Sequence, residues 1–388
     1  MHTDRPLFLF TVFVISMGIV FSLSLSAYTI FLHHGYSEFH FFIRQFAVGI
    51  FSILVIWFLS RLDPEKYFQP LGFSIFFISL ILMSIMHFLP DSYVTAAGGA
   101  KRWIRLPGFS LAPVEFFKIG FVFFLSWSFA RKLNENKKTL KEELKLIFPY
   151  IGVFLIAVYL IAILQNDLGQ VVVLALTLAV MAFFAGTSAK LFMLSILGAI
   201  SIATLAIATS THRILRIKTW WATIQDMVLS IFPDKIANAL RVQDAPEPYQ
   251  ISHSLNAIKH GGLFGTGIGS GTFKLGFLSE VHTDFVLAGM SEEIGAVGVS
   301  IVTVCIIAII YRIFKIANRS QNKVNYLFAL GIGLLITFSF LMNAYGITSL
   351  IPIKGIAVPF LSYGGSSMLA LSIGVGMVLM ISKKANLK

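Results

Sequence analysis

The sequence is poor in charge and has almost no cysteine. Asp, Glu, Lys and Arg make up 12% of its 388 residues, and hydrophobic residues make up 57%. Globular proteins average about 25% charged residues, so the composition excludes a soluble domain, a disordered chain and a collagen. The single cysteine, Cys305, excludes an intrachain disulfide and the disulfide-rich secreted class. What remains is an integral membrane protein.

The sequence also lacks the short motifs of nucleotide chemistry. It contains no P-loop, no G-x-G-x-x-G, no H-E-x-x-H, no G-x-S-x-G and no C-x-x-C. ATP and nicotinamide cofactors are therefore not predicted. The formal net charge of +12 would indicate nucleic acid in a soluble protein. In a membrane protein, retention of cytoplasmic loops by Lys and Arg explains it, with anionic lipid or phosphate ligands second, so no nucleic-acid partner is predicted.

Long apolar runs predict an all-α integral membrane protein with ten transmembrane helices. A span needs roughly 20 mostly apolar residues, and the sixth run is short enough to be a tilted or partly buried helix. Residues 1–388 are predicted to form a single membrane domain. The predicted spans are 7–32, 40–60, 71–89, 111–130, 147–164, 171–186, 190–210, 285–311, 325–345 and 360–382.

Basic residues orient these spans. An even number of spans places both termini on one side, and the loops of that side are rich in Lys and Arg, as in the loop that carries Arg131, Lys132, Lys137, Lys138, Lys141 and Lys145. The short loops of the other side carry only Lys101, Arg102, Arg105 and Lys354. Because cytoplasmic loops are enriched in Lys and Arg, both termini are predicted to be cytoplasmic.

The long loop 211–284, between spans seven and eight, is then extracytoplasmic. Its first part, 213–241, mixes cations, aliphatic residues and a Trp pair, Trp220 and Trp221, at roughly helical spacing. This pattern predicts an amphipathic helix in the membrane interface. The stretch 261–276 has seven glycines. It fits either a mobile gating loop, which we favour, or backbone that approaches a ligand closely.

Cations stand at the outer side, where they are unusual. Lys101, Arg102 and Arg105 predict either a phosphate or pyrophosphate site or an interfacial loop that binds lipid head groups. Glu115 and Lys118, at spacing i, i+3 in span four, share one helical face. Ionised residues inside a span face the bundle interior or a water-filled cavity. This pair is either a structural ion pair or part of a site.

Acids and small polar residues stand at the outer ends of other spans. Asp167 lies between two apolar runs, where a partly desolvated carboxylate suits a general base and where an Asp also suits a helix N-cap. Glu280, His282 and Asp284 cluster at the mouth of span eight, with a spacing that is weak support for a metal site. A further segment predicts either an anion site at a helix N-terminus or ordinary capping. Its candidate residues are Ser362, Gly364, Gly365, Ser366 and Ser367.

Each of these segments is common by itself, but their combination is specific enough to indicate a protein family. Their order along the chain resembles the SEDS family (shape, elongation, division and sporulation) over essentially its whole length. The segments are GGAKRW, PVEFFK, QNDLG, YQISHSLNAIKHGGLFGTGIG, EVHTDF, EEIG and PFLSYGGSS. Val114, Asn166 and Ser279 depart from the family pattern, but the neighbouring acid is retained each time. Cues that favour the division branch over the elongation branch are Tyr249-Gln250, Ser254-Leu255, Lys274, Lys354 and Ser366-Ser367.

The resemblance implies a peptidoglycan glycosyltransferase at the bacterial cytoplasmic (inner) membrane. The family polymerises lipid II, the undecaprenyl-pyrophosphate-linked disaccharide pentapeptide, on the outer face. It works with a class B penicillin-binding protein as the transpeptidase, and the division branch with other divisome proteins at the septum. The family's essential acid matches Asp167. Its other sensitive positions match Glu115, Lys118, His282, Asp284 and the PFLSYGGSS segment.

Glycan transfer of this kind needs a base for the acceptor hydroxyl and positive charge for the departing pyrophosphate. The prediction is Asp167 as the base, with Arg102, Arg105 and Lys118 on the pyrophosphate. No cofactor is assigned, and a divalent cation (Mg²⁺ or Mn²⁺) is an additional source of positive charge.

Three alternatives stay open: an elongation polymerase of the same family, a lipid II flippase, and a scaffold that only recruits the transpeptidase. A translocation path should place polar groups in both halves of the membrane or show an internal repeat. Here the polar groups cluster at the outer ends of the spans, and the last five spans do not convincingly repeat the first five. This distribution favours an outward-facing enzyme.

Overall fold

The computed structural model describes residues 3–32, 37–97, 100–106, 109–133, 139–242, 249–278, 280–352 and 355–385. Lys137, Lys138, Ser279 and Lys354, which enter the predictions above, lie outside these residues. The helices are α1 (Arg5–Leu25), α2 (Ala27–Leu32), α3 (His40–Arg61), α4 (Pro64–Ile85), α5 (Pro113–Lys132), α6 (Leu140–Val158), α7 (Leu168–Phe184), α8 (Ala189–Ala208), α9 (Thr211–Leu229), α10 (Asp234–Leu240), α11 (Tyr249–Gly261), α12 (Val286–Arg319), α13 (Lys323–Ile347) and α14 (Gly365–Ser382). A 3₁₀ turn, Met86–Phe88, extends α4, and a π-helical turn, Tyr159–Leu164, continues α6.

The architecture is a bundle of apolar helices, as predicted. Among the described residues, nine helices are long and apolar enough to cross a membrane. The short sixth run, 171–186, forms α7, an apolar helix of 17 residues. At 1.5 Å per residue α7 is about 25 Å long, less than the roughly 30 Å of a bilayer core. It packs against α5, α8 and α13 inside the bundle.

Helices α4 and α6 begin before the predicted spans because their first turns are polar. α4 begins at Pro64, where the carboxylate of Asp63 accepts a hydrogen bond from the backbone N–H of Glu65 at 3.1 Å. α6 begins at Leu140, and a capping box of Thr139 and Glu142 stabilises its first turn. A search for apolar runs leaves these turns out.

Burial divides the bundle into a centre and a periphery. The apolar windows of α5 and α14 are each 78% buried, and that of α13 is 72% buried. Phe117, Phe121 and Phe123 of α5 are almost completely inaccessible to solvent. The corresponding window of α8 is only 6% buried. Helices α5, α13 and α14 therefore form the core, and α8 is attached at its edge.

The start of α1 and the end of α14 meet at one end of the bundle. The carboxylate of Asp4 caps α1 by accepting from the Leu7 N–H at 2.9 Å, and it pairs with Arg312 near the end of α12. The backbone N–H of Asp4 donates to the hydroxyl of Ser382, the last residue of α14, at 3.3 Å. The structure thus places residues 4 and 382 on one side, in agreement with an even number of crossings.

A small sheet lies at the opposite end, and the all-α prediction did not include it. Strands β1 (Val94–Ala97), β2 (Ala100–Leu106) and β3 (Phe109–Leu111) pair antiparallel in the order β1-β2-β3. The hydroxyl of Ser366 in α14 donates to the carbonyl of Ser110 at 3.0 Å and accepts from the Ala112 N–H at 2.9 Å. The sheet is thereby tied to the start of a core helix.

Helix α12 is broken near this same end. Gly295 has φ 66° and ψ −177°, a conformation that glycine adopts without strain. The glycine-rich segment fills the break and pairs with both halves of the helix. Thr266 and Gly267 donate backbone N–H groups to the Glu292 and Glu293 carbonyls at 2.9 Å, and Ala296 and Val297 donate to the Gly262 and Leu263 carbonyls at 2.9 and 3.0 Å.

Two buried acids of α12 fasten the rest of the segment. The carboxylate of Glu292 accepts from the backbone N–H of Thr272 at 2.7 Å and of Phe273 at 3.2 Å. Glu293 forms a buried ion pair with Lys274 at 2.6 Å. The stretch 261–276 is therefore docked on α12, whereas the sequence favoured a mobile gating loop.

Candidate functional site

The QND turn, residues 165–167, carries the first candidate acid. It follows the π-helical turn, and Asn166 has a positive φ of 50°. Arg102 of β2 donates from Nε to the Gln165 carbonyl at 2.8 Å and from Nη2 to the Asn166 carbonyl at 3.0 Å. The sheet thus delivers one of the predicted cations directly to the turn.

Asp167 is both a helix cap and a half-buried carboxylate. Its Oδ1 accepts from the backbone N–H of Gln170 at 3.3 Å, so it is the N-cap of α7. Burial raises the pKa of Asp167, and the guanidinium of Arg102 opposes that rise. The two interpretations of this residue, capping and proton transfer, are therefore compatible in one position.

Glu115, Lys118 and Gln170 form a closed triangle below the turn. Lys118 Nζ lies 2.7 Å from Glu115 Oε2 and donates to Gln170 Oε1 at 2.8 Å, and Gln170 Nε2 donates to Glu115 Oε1 at 3.1 Å. All three side chains line a small pocket together with residues 356–359 and Ser367. The predicted ion pair exists, and it faces a pocket inside the protein.

The HTD segment, residues 282–284, carries the second candidate acid. Its three successive backbone carbonyls are each held by a donor from another part of the chain. Tyr363 N–H donates to the His282 carbonyl at 2.8 Å, the Ser362 hydroxyl to the Thr283 carbonyl at 2.6 Å, and Asn343 Nδ2 to the Asp284 carbonyl at 2.7 Å. The backbone of the segment is therefore fixed through its own main-chain atoms.

The side chains of this segment have distinct surroundings. The ring of His282 forms a cluster with those of Phe41 and Tyr363, at centroid distances of 5.0 and 5.4 Å, and burial lowers the pKa of His282. Burial, followed by the charges of Glu280 and Asp167, raises the pKa of Asp284 to about 6, while Arg102 opposes the rise. Asp284, Asp167 and Arg102 thus interact electrostatically, although three different parts of the chain carry them.

The predicted serines of the PFLSYGGSS segment are engaged within the protein. Ser362 accepts from the Val358 N–H at 2.8 Å as well as donating to the HTD segment, and Ser367 donates to the Gly364 carbonyl at 3.0 Å. Gly364 precedes α14 as its N-cap residue, without a side-chain cap, and Gly365 begins the helix. The segment joins the HTD segment, the sheet and α14, which is a connecting role that its sequence did not reveal.

The other two predicted cations point elsewhere. Lys101 donates to the Leu89 carbonyl at 2.7 Å and pairs with Asp91 at 3.0 Å. Arg105 is exposed and donates to the Thr95 hydroxyl at 2.8 Å. Of the three cations, the structure therefore brings Arg102 to the acids and leaves Lys101 and Arg105 in contacts within and beside the sheet.

Two contributors to the site were missed in the sequence. Arg213 of α9 donates from Nη2 to Asn166 Oδ1 at 3.2 Å and from Nη1 to the Ala206 carbonyl at 2.8 Å. Asn343 of α13 is almost fully buried and holds the Asp284 carbonyl. Arg213 was noticed only as part of an amphipathic pattern, and Asn343 lies in an apolar run with no local signal of its own.

The described part of the chain contains no group of three or more His, Cys, Asp or Glu side chains placed to hold a metal ion. The sequence already gave weak support for a metal at Glu280, His282 and Asp284. Transfer of a proton and stabilisation of an anion are what the assembled side chains can perform. The acids offer proton acceptors and Arg102 offers a fixed positive charge.

Comparison with known proteins places the chain in a family. The model of the FtsW/RodA/SpoVE family, described as cell cycle protein, matches residues 5–387. The chain belongs to this family, which is the SEDS family that its motifs indicated. It is 51% identical over 384 residues to a probable peptidoglycan glycosyltransferase FtsW of Helicobacter pylori, covering 99% of each chain. It is 33% identical to a protein of the same description from Trichlorobacter lovleyi, covering 98% of this chain and 93% of that one.

Solved structures share the fold at low sequence identity. The rod shape determining protein RodA of Thermus thermophilus matches with a TM-score of 0.65 and 20% identity, covering 99% of this chain and 98% of that one. A chain of a peptidoglycan synthase complex that coordinates polymerization and crosslinking matches with a TM-score of 0.70 and 20% identity, covering 98% of both. These likenesses agree with a multi-pass helical membrane protein.

Proposed function

We propose that this chain is a peptidoglycan glycosyltransferase that polymerises lipid II on the outer face of the cytoplasmic membrane, for septal synthesis in cell division. The names of its relatives support the activity and the division branch. The observation that carries the proposal at the level of the site is the guanidinium of Arg102, which is fixed on the turn that carries Asp167 and whose charge also acts on Asp284.

The topology that we propose has ten crossings, with α7 as the sixth. Residues 1–388 act as one domain, the termini are cytoplasmic, and the segment 211–284 is extracytoplasmic. The basic loops and the meeting of Asp4 with Ser382 support this orientation. Helices α9 and α10 lie in the outer interface, where exposed apolar side chains face the lipid; these are Met227, Ile231, Phe232 and Ile236.

In the proposed reaction, an oxygen of the acceptor sugar hydroxyl attacks the anomeric carbon of the donor. The bond from that carbon to the pyrophosphate oxygen breaks, and its electron pair leaves with the pyrophosphate. The hydroxyl proton passes to a carboxylate. Asp167 is the base predicted from the sequence. Asp284 is a second candidate for the base, because a carboxyl with a pKa of about 6 is mostly ionised at pH 7 and still basic enough to accept a proton.

The remaining charges assist the same reaction. Arg102 stabilises the leaving pyrophosphate and the ionised acids from its fixed place on the QND turn. Lys118, held by Glu115 and Gln170, adds positive charge from the pocket below. The partner that supplies crosslinking is a class B penicillin-binding protein, as the synthase complex with the same fold suggests.

The test is polymerisation of lipid II by the purified chain with its cognate transpeptidase in liposomes. Wild type, Asp284→Asn and Asp167→Asn are compared, because Asn keeps the shape of each side chain and remains a good N-cap. We expect glycan strands from wild type and a rate about 10²–10⁴ times lower for the variant that lacks the base. Binding of the transpeptidase is measured alongside as a control for folding.

Each other outcome identifies a different protein. No strands from wild type, with lipid II moved between leaflets, would indicate a flippase. No strands and no translocation, with the transpeptidase still bound, would indicate a scaffold. Strands formed only with the elongation transpeptidase would indicate the elongation branch. Wild-type rates in both variants would remove the acids from the chemistry.

A further inference from the structure

Asn343 occupies a singular position between two segments of the site. It lies near the outer end of core helix α13, and its side chain is 2% exposed. Its Nδ2 donates two hydrogen bonds of 2.7 Å each, one to the Asp284 carbonyl and one to the Ile356 carbonyl. One amide group therefore fixes the HTD segment and the 355–358 segment relative to each other.

The two segments that Asn343 joins face each other at the carboxylate of Asp284. A Cβ atom built on Gly355 would stand 2.6 Å from Asp284 Oδ2, which is closer than van der Waals contact allows. The backbone of Gly355 thus forms one wall of the space around the carboxylate, and the residue after it accepts a hydrogen bond from Asn343. A change at Asn343 would move this wall and the carboxylate relative to each other.

The amide of Asn343 matches this pair of acceptors. Both acceptors are backbone carbonyls, so the side chain between them must donate twice, and the amide of Asn has two N–H donors on one short stem. Asp has the same shape but presents two acceptors to two carbonyls. An isosteric change of Asn343 therefore removes both bonds and adds repulsion without changing the packing volume.

We propose that Asn343 is a positioning residue for glycosyl transfer, which sets the distance between the Asp284 carboxylate and the Gly355 backbone; this rests on the proposed function. Asn343 touches no reacting atom. It acts through the two segments that it joins. Small displacements of reacting groups reduce rates strongly, and a misplacement of about 1 Å can cost about 10²-fold.

The experiment measures lipid II polymerisation by the full chain with its transpeptidase, with kcat and KM determined separately. The variants are Asn343→Asp, Gly355→Ala and the double variant. The matched control is Asn325→Asp, which makes the same change near the opposite end of α13. We expect Asn343→Asp to lower kcat at least about tenfold with KM within about twofold, because orientation is lost and binding is kept. Asn325→Asp should match wild type.

The double variant separates a shared gap from general damage. If both residues act on one gap, Asn343→Asp with Gly355→Ala is no slower than the slower single variant, whereas independent defects multiply. Wild-type kcat in Asn343→Asp, an equal loss in Asn325→Asp, or multiplied defects would overturn the proposal. Should Asn343→Asp fail to fold, Gly355→Ala decides: unchanged kcat overturns the proposal, and lowered kcat with unchanged KM supports it. An inactive wild type would instead refute the proposed function.

Discussion

The charge of Asp167 raises the pKa of Asp284, yet different parts of the molecule hold the two segments that carry these acids. The HTD segment is held by buried donors, Asn343 and Ser362, from the core helix α13 and the segment that precedes α14. The QND turn is held by two arginines from the sheet and the long outer loop, Arg102 and Arg213.

This difference means that the two acids depend on different parts of the fold for their positions. The bundle core stabilises the position of Asp284. The position of Asp167 depends on elements at the edge, since Arg213 also holds the end of α8, whose window is only 6% buried. A displacement of α8 would therefore reach the turn that carries Asp167 through Arg213.

The largest test of this comparison is the pH dependence of the reaction. A base must be ionised to accept a proton, so with the pKa of Asp284 at about 6 the rate falls about tenfold between pH 7 and pH 5. The negative charge of Asp167 raises the pKa of Asp284, so Asp167→Asn should move this acid limb to lower pH. Single-turnover rates measure the limb even in a slow variant.

Asp234→Asn, an exposed acid in α10, is the control for that experiment. It should leave the acid limb in place. An unshifted limb in Asp167→Asn would show that the two carboxylates are not coupled as the structure indicates. A limb that survives in Asp284→Asn would show that it reports another group.

A smaller effect is expected when the outer elements are released from the QND turn. Arg213→Ala removes the hydrogen bonds to Asn166 and Ala206, and a bond of this kind contributes about 0.5–1.5 kcal/mol. The polymerisation rate should fall about threefold to tenfold. Arg216→Ala, an exposed arginine of the same helix, should keep the wild-type rate. Equal rates in both variants would argue against a link between α9 and Asp167.

The smallest effect is expected at Arg105. The structure directs this cation to Thr95 on the exposed side of the sheet, and surface changes are usually within about 0.5 kcal/mol. Arg105→Ala should therefore polymerise lipid II within about twofold of wild type. A loss as large as that of Arg102→Ala, measured in the same assay, would restore Arg105 to the pyrophosphate site that the sequence predicted.

The features of this molecule that could be predicted are those that depend on local sequence. Apolar runs predicted the helices because each span must satisfy its own backbone and face lipid. Asp167 was predicted as a candidate because an isolated acid between apolar runs is conspicuous, and Asp284 because it clusters with Glu280 and His282 at the start of a span. The helix ends at Pro64 and Leu140 were missed because their capping turns are polar.

The unpredictable part is the pairing of distant segments. Nothing local distinguishes Ser362, which fixes the HTD segment, from a serine that binds an anion. Nothing local shows that Arg102 reaches a turn more than 60 residues away or that Asn343 reaches Asp284. Such contacts depend on how the helices assemble.

The break in α12 has a consequence for how the protein folds. At Gly295 four backbone groups of the helix find their partners in the segment 262–267, which precedes α12 in the chain. Without that docking, these four groups would lack the backbone partners that they have in the structure. The fold of α12 around its break is therefore complete only when the preceding segment is in place. Gly265 has φ 81°, and a Cβ there would stand 2.2 Å from the Glu293 carbonyl oxygen. A side chain at this position would therefore hinder the docking of the segment on α12.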